Sequence, residues 1–474
     1  MSDLLEMKIK SNVLKLATQI IKKQDENSIN NFFKLAMKST KNHEINGYVS
    51  KVHEFYNKDE HVKTYIHNIL KDTDRNCLDK FVTNFLGNHN WYGMSKRDEV
   101  GELNDTKIPY TALISPSMRC NLSCSGCYSA DYSMKDDLDF NKVDELVSEM
   151  RSLGIYWVII LGGEPFFNDY MLDIYAKYDD MYFTPFTNGT LFTEQLADQL
   201  KNLGNVMPMF SLEGYEDETD SRRGPGTYQA VMNGMELLSD RGVLYGVSSA
   251  TSKGNLETVT SSEFIDTLIE KGSKMNWYFM FMPVGETPVE DMSYMLSPEE
   301  RMYLGKRVND IRVSKSYFAI DFFNDAPYVN GCIAGREYFH INSKLDLEPC
   351  IFSHFATDNL KNKTLLEGLQ SSFFSGIRSK QPYNDNLLMP CMMIDNPHVI
   401  RDIVNEYNAY PTHSSAELMI TDQVFMDKLD DHAEAYQRML DLESKNKRIV
   451  GRVCGNEADD KECEIFEANN KKVR

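Results

Sequence analysis

No run in this 474-residue sequence approaches the roughly 18–20 consecutive apolar residues that cross a bilayer, and the N-terminus lacks a signal-peptide pattern. A cytoplasmic protein is therefore expected. Positive charge is short as well. Fifty-one Lys and Arg face 71 Asp and Glu, a net charge of −20, which argues against nucleic acid as a partner because neutralising phosphates takes Lys and Arg. The deficit is uneven: residues 1–100 carry a net +3 and the remainder −23. Cysteine is scarce, nine in all and clustered in loops. An odd, loop-bound set does not make the disulfide framework of a secreted domain, and in a reducing compartment it suggests metal ligation. No internal repeat is present.

Against these absences stands one dense stretch, Tyr110 to Tyr128. An apolar run ends at Pro116, and a polar loop then presents Cys120, Cys124 and Cys127 with C-x3-C-x2-C spacing. Three thiolates so close together are soft ligands of the kind zinc and iron–sulfur clusters select. A structural zinc site wants a fourth local ligand, and the nearest preceding histidine is His89. Three ligands on a four-iron cluster would leave one iron open to a group that is not protein. Downstream, Tyr156 to Leu161 reads as a buried strand that ends in Gly162-Gly163-Glu164-Pro165.

These residues resemble the radical S-adenosylmethionine (SAM) enzymes, in which a three-Cys loop follows the first barrel strand and a GGEP-like turn the second. One position departs from that pattern. The family usually has an aromatic residue before the third Cys, beside adenine; here it is Gly126, and Tyr128 is expected to supply the ring.

Residues 1–100 read as a helical region, with stripes at Leu5 to Ile20, Ile29 to Met37 and Tyr48 to Leu70, and a last one at Leu78, Phe81, Val82 and Phe85 stopped by Gly87. From about 105 the pattern becomes strand–helix alternation, with strands expected at 109–115, 156–161, 181–186, 206–212, 243–250 and 275–282. Intervening helices should stop at Gly154, Gly204, Gly242 and Gly272. Six units over 105–296 imply an α/β fold, a partial (β/α)6 TIM-like barrel, as the resemblance does. Function in such barrels collects on loops after the strands.

A helix beyond Ser297 is expected to lead the chain out of the barrel into an extension, 297–414, followed by a charged helical tail, 415–474. The extension holds Cys332, Cys350 and Cys391 and resembles the SPASM/Twitch modules that carry an auxiliary 4Fe–4S cluster. Leu345 stands where that pattern has a turn glycine, and a C-x2-C is missing because position 394 is Ile. His340 is the candidate for a missing fourth ligand. Cys454 and Cys463 lie in the tail.

The resemblance implies a chemistry. A reduced 4Fe–4S cluster on Cys120, Cys124 and Cys127 would bind SAM through its amino and carboxylate groups. C–S cleavage would then release a 5′-deoxyadenosyl radical that abstracts hydrogen from an unactivated carbon. Gly162, Gly163 and Pro165 would let the backbone approach the cofactor, and Glu164 would meet the methionine ammonium. Ser211 and Glu213 would bind ribose or the methionine portion, Arg223 the carboxylate, and Asn188 would contribute from its turn. A flavodoxin or ferredoxin would be the reductant. Peptide maturation and lipid-chain modification are the two substrate readings. The second rests on the apolar segment Trp277 to Met282 and on the slightly basic helical N-terminus, expected to govern substrate access and to allow peripheral membrane contact. An electron carrier would leave GGEP unexplained.

Overall fold

The computed structural model describes residues 25–39, 43–129 and 137–453. The stripe at Leu5 to Ile20, Cys454 and Cys463 lie outside them. Six strands follow the expected order: β1 Thr111–Ile114, β2 Trp157–Ile160, β3 Tyr182–Thr187, β4 Met209–Ser211, β5 Gly246–Thr251 and β6 Met275–Met280. Each pairs parallel with the next. Their outward residues, such as Ile160, Phe183, Val247 and Tyr278, are buried beneath the covering helices. The helices before β2, β4 and β5 bury apolar stripes of the kind their spacing predicts, and Gly154, Gly204, Gly242 and Gly272 all adopt positive φ.

Two further strands extend the barrel. The helix Pro298–Ser314, opened by a Ser297–Glu300 capping box, does not carry the chain out of the sheet. It returns the chain as β7 Phe318–Asp321, parallel to β6. Then β8 Tyr338–Ile341, from the extension, pairs parallel with β1 on the other edge. Eight parallel strands thus run β8-β1-β2-β3-β4-β5-β6-β7, with a seam between β7 and β8. Outside β8 lie antiparallel β9 Asp346–Glu348 and then Asp358–Asn359. Four-residue strands carry no periodic signal of their own, and the partner of β8 lies over 200 residues away, which is why the sequence pattern stops at six.

The turn between β8 and β9 keeps the geometry that its missing glycine would provide. Leu345 takes φ +70° with its side chain buried, so the core it enters offsets the left-handed backbone.

The N-terminal helices occupy an unexpected place. Helices Glu26–Ser39, His43–Lys58 and Glu60–Asp72 lead to a helix over Phe81–Gly93 that continues through Gly87 into Met94–Leu103. Gly87 does not stop it, because packing on the barrel outweighs the glycine penalty of about 1 kcal/mol. Asn84 donates to the carbonyls of Asp179 and Met181, Asn88 to that of Asp180, and Arg97 to that of Gly154. Those carbonyls lie where the chain enters β2 and β3, so this region closes the N-terminal end of the barrel. Phe85 and His89 seal it against Trp157, Tyr182 and Tyr110. These helices lie at the end opposite the loops that follow the strands. The long helix Gln423–Val453 buries Leu429, Tyr436 and Leu440 against the extension's side of the barrel. No described helix is long and apolar enough to cross a membrane.

Candidate iron–sulfur and cofactor site

The loop after β1 and the turn after β2 are joined backbone to backbone. Gly163 N–H donates to Ser117 O at 3.0 Å and Glu164 N–H to Arg119 O at 2.8 Å. There is no space for side chains: a Cβ on Gly163 would lie 2.7 Å from Met118 O and closer still to Arg119 O, and one on Gly162 would strike Ser117 O. The two glycines therefore serve first to let the turn press against the Cys loop. They were expected to open an approach to cofactor; the structure assigns them the nearer partner. Pro165 opens a short helical turn that Glu164 caps.

Glu164 is buried. Its Oε1 accepts from Thr187 Oγ1 at 2.7 Å and Phe166 N at 3.2 Å, and its Oε2 from Asn188 N at 2.7 Å. A carboxylate has about four acceptor positions, so one remains on Oε2. Burial, against these hydrogen bonds, pushes its pKa up to about 7. Asn188 turns toward the thiols, its Nδ2 3.6 Å from Cys120 Sγ. Burial raises the Cys120 and Cys124 thiols, and Arg223 works against that at Cys124. Arg222 Nη1 and Arg223 Nη2 both donate to the buried Glu213 Oε1 at 2.5 Å. Glu213 Oε2 accepts from Ala250 N at 3.1 Å. Glu213 is thus consumed in fixing two arginines beside the Cys loop, and does not offer itself to a ribose as expected. Ser211, last in β4, is only partly buried.

Tyr128 also departs from expectation. Its hydroxyl bonds the N–H and carbonyl of Gly162, each at 3.2 Å. Its ring lies between Phe352 and His354 of the extension. The position of the missing aromatic is filled from elsewhere: Gly126 has φ +64°, and a Cβ there would meet the Phe281 ring, 2.6 Å from its Cε2. Phe281 follows β6 and carries Arg222 over its face at 5.6 Å. No local sequence signal links positions 126 and 281; only the fold brings them together.

Cys332, Cys350 and Cys391 line one cavity of about 390 Å³ at the β7–β8 seam, with Tyr338, Phe322 and Trp277. Burial pushes the Cys332 thiol up to about 12 and raises the other two. Donors suited to thiolates are present. The Tyr338 hydroxyl donates to Cys350 Sγ at 2.9 Å, Phe352 N–H to the same sulfur at 3.4 Å, and Met393 N–H to Cys391 Sγ at 3.4 Å. Buried Arg301 pairs with Asp395, whose other oxygen accepts from Cys391 N. His340 is excluded as a ligand here. Its Nε2 meets Ser115 Oγ at 2.7 Å and its Nδ1 meets Glu348 Oε2 at 2.5 Å, which leaves neither nitrogen free. Among the described residues no three His, Cys, Asp or Glu side chains close on a single ion. Three soft thiolates around one loop, and three more around one cavity, are donor sets that fit polynuclear iron–sulfur centres.

Parallel strands, a Cys loop on the first and a glycine turn on the second define the class. Residues 114–254 match the Radical SAM superfamily. Within it, the chain is 28% identical to the Fe-coproporphyrin III synthase of Methanosarcina barkeri over 30% of its own length and 37% of that protein's. It is 28% identical to the AdoMet-dependent heme synthase of the same organism over 36% and 50%. The chain thus spans half or less of the length of these two relatives. Its fold is similar to that of SuiB from Streptococcus suis bound to S-adenosylmethionine, with a TM-score of 0.52 and 21% identity over 63% of this chain and 75% of that one. SuiB has also been solved with its precursor peptide SuiA, at a TM-score of 0.51.

Proposed function

We propose that Cys120, Cys124 and Cys127 hold a four-iron cluster to which SAM binds, and that the protein abstracts hydrogen from an unactivated carbon of its substrate. The observation that carries this reading is the seating of the Gly162–Pro165 turn on the Cys loop, with no room for a Cβ between them. When bound, cluster and SAM together supply reductive C–S cleavage and a 5′-deoxyadenosyl radical. The chain's own residues bind and orient. The acceptor position left on Glu164 suits an ammonium, and its three existing hydrogen bonds hold it still. Arg223, pinned through Glu213, presents a fixed cation for a carboxylate, and a planar guanidinium suits that partner better than a mobile Lys. Asn188 donates to the Cys120 sulfur, which favours the thiolate. Ser211 is suited to a hydroxyl at the mouth. Cys332, Cys350 and Cys391 hold an auxiliary four-iron cluster, and a flavodoxin or ferredoxin delivers electrons.

A peptide is favoured over a lipid chain as the substrate. The lipid reading drew on the apolar Trp277 to Met282 segment, most of which is strand β6 of the barrel wall, and on the slightly basic N-terminal helices, whose described part caps the end of the barrel away from the Cys loop. SuiB, of similar fold, was solved with a precursor peptide. The test is anaerobic reconstitution of the triple variant Cys120→Ala, Cys124→Ala, Cys127→Ala. It should bind about four fewer irons than the wild type and form no 5′-deoxyadenosine. SAM cleavage retained by that variant would sink the assignment.

A further inference from the structure

The strand register divides the barrel wall into two faces, and the inner one is not filled. In closed (β/α)8 barrels the inward side chains pack the interior solid. Here the outward residues Asn276, Tyr278 and Met280 of β6 are buried, while the inward Trp277 and Phe279 are only partly buried. The reason lies on the neighbouring strand. Ser248 and Ala250 of β5 pair with Trp277 and Phe279 of β6, so two successive small inward residues stand beside large ones. Phe186 of β3 reaches across to Trp277 and Phe279, with ring centroids 5.8 and 6.2 Å apart, and Phe322 lies 5.0 Å from Phe279. The result is an aromatic wall beside a shelf of small residues beneath the Cys loop, continuous through Trp277 and Phe322 with the cavity at the β7–β8 seam.

The wall around Trp277 and Phe279 is uncharged, and the inward pair of His340 on β8 and Glu348 on β9 is closed on itself and saturated by Ser115 and Asn342. No inward position of β1 to β8 carries Asp, Glu, Lys or Arg. The charged groups of the site, Glu164 and Glu213 on loops and Arg222 and Arg223 at the end of the helix Glu216–Arg223, stand above it and are paired or hydrogen-bonded there. A substrate group entering the chamber would find ring faces and edges but no counter-ion, and an unpaired charge is expelled from such a place. Ring pairing beyond simple area favours another aromatic.

We infer that the substrate inserts an uncharged aromatic ring into this chamber, against Trp277 and Phe279, beside the site of hydrogen abstraction. The inference rests on the reading above and names its substrate class. A neutral aromatic side chain of a peptide meets the requirement. A carboxylate, an ammonium or a plain alkyl chain does not.

Three probes of one shape separate the cases: indole, tryptamine and indole-3-acetate, compared by saturation-transfer NMR on the oxidised, reconstituted holoenzyme, with 1-hexanol as the aliphatic arm. Indole should bind at least about tenfold more tightly than either charged analogue, and more tightly than hexanol. Ala250→Phe, which fills the shelf, should abolish indole binding. Phe279→Glu should reverse the order, so that tryptamine exceeds indole. Iron content and thermal midpoint report whether each variant folds. A charged analogue or hexanol that matches indole on the wild type, or a folded variant that keeps the wild-type order, would overturn the inference. Substrate-free 5′-deoxyadenosine formation is read separately, so failure here and failure of the radical SAM reading are distinguishable.

Discussion

Cys120, Cys124 and Cys127 fall within one eight-residue stretch of a single loop, whereas Cys332, Cys350 and Cys391 come from three segments spread over 60 residues. The first set is partly exposed, flanked by paired arginines, and held by backbone contacts to a glycine turn. The second set lies around an apolar cavity, its thiols raised by burial and met by a tyrosine hydroxyl and backbone N–H groups. Local spacing builds one donor set and tertiary packing builds the other. Damage should therefore travel differently: the first site should fail through its own loop, and the second through the fold around it.

The largest effect should come from removing each set in turn. With Cys332, Cys350 and Cys391 all changed to Ala, the first centre should keep about four irons and substrate-free SAM cleavage. The reciprocal variant should keep about four irons and cleave nothing. Iron assay and 5′-deoxyadenosine chromatography check both. An iron-free, well-folded reciprocal variant would make the second set structural cysteines.

Next in size is Gly163→Ala. Gly163 does not need positive φ, so the substitution tests the steric contact alone. The added Cβ meets Arg119 and Met118 carbonyls that cannot move without moving the Cys loop. Overpacking against backbone should cost about 3 kcal/mol, with iron lost from the first site and kept at the second. Gly254→Ala, which has open space around it, should change neither.

Leu345→Gly probes the second region and runs against intuition, because it installs the glycine that the extension's pattern calls for. Relief of the left-handed backbone should return about 1 kcal/mol. Emptying a fully enclosed leucine site should cost about 3 kcal/mol. The net is about 2 kcal/mol of destabilisation, read from thermal or urea melts. A more stable variant would show that the core around Leu345 contributes little.

How far each region could be read from sequence follows the same division. The Cys loop, the GGEP turn, six strands and four helix-ending glycines were legible because each is a local pattern. What the glycines of GGEP touch was not, since Ser117 and Arg119 lie some 45 residues earlier in the chain. The same holds for Phe281 opposite Gly126, and for His340, whose two nitrogens are taken up by Ser115 and Glu348. That β8 joins the barrel sheet was not legible, because nothing in four residues points to β1. The N-terminal stripes announced helices but not which end of the barrel they cover; that is set by Asn84, Asn88 and Arg97 reaching carbonyls of other segments.

The smallest effect is a pH dependence confined to the second region. Asp321 ends β7 fully buried. Burial raises its pKa to about 6, although Asn324 donates to it from both backbone and side chain. Its folded value therefore lies above the unfolded one of 3.8. The contribution of protonated Asp321 is complete below pH ~4 and is lost as pH rises through ~6. Between pH 5 and 7 that loss amounts to about 1 kcal/mol. Asp321→Asn keeps an acceptor for the backbone N–H of Asn324 and cannot ionise, so its stability should fall less over the same interval. The comparison is made as a difference between wild type and variant at each pH, which cancels the titration of all other groups. Parallel curves would mean that Asp321 is already ionised in the folded protein at pH 5, with Arg301 outweighing the burial.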